Sequence, residues 1–235
     1  MMNIKRQRGI GLVEIMVSMM IALFLLLGIG TIFMTTRSTY GDQQGLSNLQ
    51  DNERLAMFML TNVIQIGGYF PDPTTSTAAL SLPVAAPYVV AGQAVSGTEG
   101  GAAPDKVRVR FMTASGDGIA NCNGGANTSG TNVVYSNEFD ISGNTLRCAV
   151  NGNNPQPLVT GVTDMQVLYG ADTTSSGSIT QYLTKTQIDT NVNGSSWNNV
   201  RSVRITLSFV NPLAAQAGQP ATLPFTKIIP VMNKL

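Results

Sequence analysis

The residue whose position most constrains its chemistry is Glu14, an acid at the start of an uncharged run from Ile15 to Thr36. A carboxylate at bilayer depth costs roughly 2.5 to 3.5 kcal/mol on insertion scales, least near a helix end. The eleven Ile, Leu, Val and Phe residues between Ile15 and Phe33 offset that cost at ~0.3 to 0.6 kcal/mol each. Insertion is therefore feasible, but the carboxylate still needs a cation at its own depth. A free α-amine made by cutting the chain just before Ile10 would supply one.

Other candidate chemistry is sparse. The 235 residues contain no histidine, which removes Ser-His and Cys-His hydrolysis and His-ligated metal centres, and two cysteines cannot build a four-thiolate zinc site. There is no phosphate-binding loop, dinucleotide fingerprint or Gly-x-Ser-x-Gly elbow, and Glu99, Asp105, Asp117, Asp164 and Asp189 are scattered. Glu138 and Asp140 share one face of an expected strand and read as solvated. Asp117 to Asn121 resembles a calcium loop only loosely, for lack of further acids. Arg108, Arg110, Arg201 and Arg204 read as solvent-facing strand positions without the interleaved aromatics that single-stranded nucleic acid needs. No catalytic residue, metal, cofactor or nucleic-acid partner is expected.

The elements that must place Glu14 follow from the same run. Some 20 apolar residues at ~1.5 Å each span a ~30 Å hydrocarbon core. Lys5, Arg6 and Arg8 precede it, so the positive-inside rule keeps the N-terminus cytoplasmic and puts residues beyond about Thr36 outside. The alternative is a secretory signal cut near Gly28-Ile29-Gly30, but the run exceeds the usual core of about 7 to 15 residues. Outside the cytoplasm disulfides persist, so Cys122 and Cys148 are expected to be bridged.

Helical character continues to about Ile66, where Leu46, Leu49, Ala56, Leu60 and Val63 form one stripe suited to packing on a domain. A helix over 10–66 would be ~85 Å long. Gly28, Gly30, Gly41 and Gly45 mark 28–45 as the place for a bend or local melting. Gly67-Gly68, Pro71 and Pro73 end the helix. Strands are expected at 107–112, 133–135, 138–141, 145–150, 165–169 and 203–209, forming an antiparallel sheet on the helix stripe. Segments 71–104 and 173–199 read as long surface loops.

The string Lys5-Arg6-Gln7-Arg8-Gly9-Ile10-Gly11-Leu12-Val13-Glu14, followed by the apolar run, resembles a class III, prepilin-type signal. It departs in having Ile10 where phenylalanine is usual. Three blocks, Leu49–Ala56 continuing to Phe70, Gly161–Asp172 and Val200–Leu207, are similar to PilW-type minor pilins of type IV pili. In that family the loop after the second block is often acidic. Here it reads Asp172-Thr173-Thr174-Ser175-Ser176-Gly177, which gives no ground for a metal there.

The resemblance implies cleavage between Gly9 and Ile10 by a prepilin peptidase that also N-methylates Ile10, and an assembly-registry role for Glu14. It implies an α+β pilin-like fold in which a long N-terminal helix packs on an antiparallel β-sheet. The divisions are a leader at 1–9, a transmembrane and fibre-core helix at 10–36, an amphipathic helix at 37–66 and a β-rich periplasmic domain at 67–235. The expected function is a minor pilin that helps prime or cap pilus assembly. Its partners would be inner-membrane lipid before assembly, then other minor pilins and the major pilin through the N-terminal helix. It would start as a single-pass inner-membrane protein with its N-terminus cytoplasmic and end in a fibre or its tip at the cell surface. Alternatives are a pseudopilin of type II secretion and a membrane-tethered adhesin whose polar loops bind a ligand.

Overall fold

The computed structural model of the chain describes residues 11–231. It divides into two compact units, 1–46 and 47–235. Helix α1, Leu12–Gln65, begins in the first and ends in the second. The helix runs uninterrupted through the glycines at 28, 30, 41 and 45, where a bend or local melting is expected from sequence. With nothing within 4 Å of a Cβ at Gly28, Gly30 or Gly41, they weaken the helix only through backbone entropy.

In the second unit α1 buries Leu49, Ala56, Met57, Leu60, Val63 and Ile64. Leu46, expected in that stripe, is half-buried. Helix formation stops after Gln65 because Gly68 takes φ 79°, open to glycine at little cost. The released backbone is not wasted. The Gly68 N–H donates to the Arg110 carbonyl at 2.9 Å and the Met112 N–H to the Tyr69 carbonyl at 2.8 Å, so 68–69 extend a sheet edge.

The β-structure forms two antiparallel sheets rather than the single sheet expected. The first has five strands in sequential order: β1 Val95–Thr98, β2 Lys106–Thr113, β3 Val133–Ser142, β4 Thr145–Val150 and β5 Gln156–Thr160. The second contains β6 Val162–Ala171, β7 Gln181–Leu183, β8 Val200–Val210 and β9 Thr222–Pro230, in the order β7-β6-β8-β9. Alternation places Val107, Val109 and Phe111 of β2 and Val203, Ile205, Leu207 and Phe209 of β8 in one core with the α1 stripe. The sheets meet at Asp105, whose N–H donates to the Met165 carbonyl (2.8 Å) and whose carboxylate accepts the Val167 N–H (2.9 Å). Close by, the Tyr169 hydroxyl donates to the Ser96 carbonyl at 3.2 Å. Gly97 permits that approach, since a Cβ there would lie 2.0 Å from the Tyr169 oxygen.

The segments read as loops carry short elements: α2, Ala78–Ser81, and β1 in the first, and β7 with α3, Lys185–Asp189, in the second. Cys122 and Cys148 are disulfide-bonded, tying the β2–β3 connection to the middle of β4. Closing 26 residues of sequence separation contributes roughly 3.5 kcal/mol on the chain-entropy estimate. A Cys122→Ser, Cys148→Ser double variant is accordingly expected to lose about that much stability, measured by urea unfolding; an unchanged midpoint would contradict it.

Candidate functional site: the N-terminal helix and its acid

Every large apolar side chain from Leu12 to Met34 is at least 47% exposed. Burying each would gain about 1.5 to 3 kcal/mol, so this surface is built for an apolar surrounding rather than for water. Four hydroxyls in and just beyond the run are already satisfied within the helix. Ser18 donates to the Glu14 carbonyl at 2.6 Å, Thr31 to Gly28 at 2.8 Å, and Thr35 and Thr39 to Thr31 and Thr35 at 3.0 Å. Such back-bonding leaves those side chains no unmet need in lipid. Glu14 differs. It sits in the first turn of α1, where the helix dipole favours an anion, and no hydrogen bond or ion pair engages its carboxylate among the described residues. Gly9 and Ile10, the expected cleavage and methylation positions, lie outside the described residues.

The charged strand positions depart from expectation. Arg110 is 2% exposed, not solvent-facing. Its Nε donates to the Gln93 carbonyl (2.7 Å), its Nη1 to Pro83 (2.6 Å) and its Nη2 to Leu82 (3.1 Å) and Val90 (3.4 Å), and the guanidinium lies 4.2 Å from the Tyr88 ring centroid. It thus pins segment 82–93 onto the outer face of the first sheet. Burial pushes the Tyr88 hydroxyl up to about 12, partly opposed by its bond to Ser136. Arg108 pairs with Glu138, Arg147 with Asp140 (2.6 Å), and Lys106 reaches both acids. Asp140, expected to be solvated, is buried. Arg201 pairs with Asp172 at 3.6 Å, and Arg204 lies over the Tyr182 ring. The guanidiniums are committed to internal partners, and pattern alone could not show this because a covering loop is invisible to strand alternation.

Asp117 and Asp172 serve their own backbones. Asp117 accepts from the Thr113 hydroxyl and the N–H groups of Ala114 and Ile119. Asp172 accepts from the N–H groups of Thr174, Ser176 and Gly177. Desolvation pushes both carboxyls up, but these donors, with Arg201 beside Asp172, outweigh it and hold both below the ordinary carboxylate range. A depressed folded pKa contributes stability that is fully present above the ordinary value near 3.9 and is lost as pH falls through the folded value. Thermal scans should therefore show stability falling as pH drops below about 4. An Asp117→Asn, Asp172→Asn variant should show a shallower fall; an identical acid limb would refute the assignment. No cluster of three or more potential metal ligands occurs among the described residues.

Two family models match the chain. The prokaryotic N-terminal methylation motif covers residues 4–30, and the type IV pilus-assembly protein W family covers residues 126–225, from the disulfide loop into β9. Both matches are those of a PilW-type pilin with a class III signal, which the chain resembles over these residues. The motif spans the basic cluster, Gly9, Ile10 and Glu14. The PilW match contains the blocks at Gly161–Asp172 and Val200–Leu207, while Leu49–Phe70 falls outside both. No curated protein matches the chain. Among solved structures it is similar to a type IV-like pilin from Thermus thermophilus, with 14% identity, TM-score 0.45, and coverage of 80% of this chain and 98% of that one. It is also similar to a chain of a binary complex of two pseudopilins from the type 2 secretion system of Vibrio vulnificus. There the identity is 10% and the TM-score 0.37, with 80% of this chain and 94% of that one covered. The pilin signal and the exposed apolar helix together mark the chain for membrane anchoring.

Proposed function

We propose that this minor pilin is a non-enzymatic structural subunit that primes or caps a type IV pilus after its leader is removed. The observation that carries the reading is the exposed, uncharged stretch of α1 from Ile15 to Thr36, with a single acid before it in the helix's first turn and a prokaryotic N-terminal methylation motif overlapping its start. The chain would insert with Lys5, Arg6 and Arg8 on the cytoplasmic side and residues 67–235 in the periplasm. Prepilin peptidase would cut after Gly9 and methylate Ile10. Losing the three leader cations leaves 11 basic against 13 acidic residues, a net charge of about −2.

Glu14 would then pair with the N-terminal amine of a neighbouring pilin, because an unpaired carboxylate in an apolar bundle is costly and pairing selects one register. The same exposed surface that held the helix in lipid would pack against other minor pilins and the major pilin, turning an anchor into fibre core. Mass spectrometry of the mature protein tests the processing steps. Loss of Met1–Gly9 with one methyl added on Ile10 is expected, and Gly9→Val should leave an unshifted precursor on a gel; an intact leader in the wild type would overturn the reading. Deletion should remove pili and twitching, whereas lost enzyme secretion with normal pili would instead assign a secretion pseudopilus.

A further inference from the structure

The two long segments that sequence alone leaves as separate loops come together. The Asn198 amide donates to the Ala91 carbonyl at 3.3 Å, and the Thr186 N–H donates to the Glu99 carboxylate at 3.2 Å. Between the segments lie two adjoining cavities of about 530 and 220 Å³ that share Val89, Asp189 and Trp197. The larger falls within the ~300 to 1,000 Å³ of small-molecule sites. Asn191 and Ser196 line the larger cavity, Ser96 and Thr98 the smaller.

Charge decides the ligand class. Lys185 is paired with Asp189, and Arg108 with Glu138 while also donating to the Thr98 hydroxyl at 3.0 Å. Each cation lining the cleft is thus neutralised and offers little to a phosphate or carboxylate. Trp197 is only 4% exposed, its Nε1 donates to Asp189 at 2.8 Å, and its ring stands edge-on to Tyr169. It forms a wall, not an open platform for a nucleobase. What remains are amide and hydroxyl groups that both donate and accept, beside an apolar strip at Val89, which is 64% exposed.

We propose that this cleft binds a neutral saccharide, with ring hydroxyls on Asn191 and Ser196 and a C–H face against the exposed Val89, above the wall that Trp197 forms. The site does not depend on the assembly mechanism proposed above. Trp197 is the single tryptophan of the chain, so its fluorescence reports the cleft directly. Full-length protein in a sugar-free zwitterionic detergent would be titrated with glucose, galactose, N-acetylglucosamine and their di- and trisaccharides. Inorganic phosphate serves as the anionic comparison, and saturation-transfer NMR as a second readout. At least one saccharide should give a saturable response in the millimolar range. Val89→Phe, which fills the mouth, and Asn191→Ala should each weaken it at least tenfold, while Val84→Phe, exposed outside the cleft, should leave it unchanged. No saturable response to any saccharide, a response to phosphate alone, or parental affinity in both cleft variants would overturn the proposal.

Discussion

Glu14→Val should yield a protein that inserts and is processed as the wild type is, yet supports at least tenfold fewer pili. Removing the carboxylate makes insertion easier, by up to roughly 2.5 to 3.5 kcal/mol on insertion scales, so a membrane defect is not the expected cause of loss. Ser18 keeps its bond, because it uses the Glu14 backbone carbonyl and not the side chain. The helix itself is therefore undisturbed. What disappears is the one charge in an otherwise uncharged surface, and with it, on the pairing proposed above, the preference for a single axial register among neighbouring helices. A registry preference of only about 1.4 kcal/mol per contact is a tenfold factor in each assembly step. Counting sheared pili by immunoblot and microscopy, with precursor and mature forms resolved on the same gel, separates the possibilities. Wild-type pilus numbers in a correctly processed variant would end the pairing argument. Glu14→Gln refines it: a result like that of valine assigns the effect to charge, and full activity would reduce it to hydrogen bonding.

Arg110→Ala is expected to cost the β-rich unit about 3 kcal/mol of stability. Hydrogen bonds to a charged donor are worth about 1.5 to 3 kcal/mol each, and truncation would strand several carbonyls of segment 82–93. At about 2 to 4 °C per kcal/mol for a domain of this size, the midpoint should fall by roughly 6 to 12 °C. Arg110→Lys should recover only part of this, because an ammonium cannot reach as many carbonyls as the planar fork or lie over Tyr88 as the guanidinium does. A midpoint within about 2 °C of the parent in the alanine variant would mean segment 82–93 is held by other contacts. Since that segment supplies Val89 and Val90 to the cleft, saccharide binding in the same variant should fall with it.

Several elements are legible without coordinates. The alternation in Val107–Met112 and Val203–Phe209 identifies the centres of β2 and β8, and Gly67-Gly68 the end of α1. Strand β9 is not legible, because Pro224 and Pro230 argue against a strand. The structure resolves the conflict through parity. The Val231 N–H donates inward to the Arg201 carbonyl, so the even-numbered positions of β9 point their nitrogens to the open edge, where proline forfeits no ladder bond. Pro157 in edge strand β5 hid that strand in the same way. Reading 133–135 and 138–141 as separate strands likewise missed that Ser136 and Asn137 continue the ladder with Arg110 and Val109.

By itself the sequence determined whatever depends on neighbours along the chain: the apolar length of the helix, the placement of Glu14 five residues beyond Gly9, and the cysteine pairing, which two residues leave no choice about. Only the tertiary structure decided that there are two sheets joined at Asp105, that Arg110 is a buried clamp, and that segments 71–104 and 173–199 share a cleft. Each of those depends on contacts between residues distant in sequence, through hydrogen bonds whose partners no local pattern specifies.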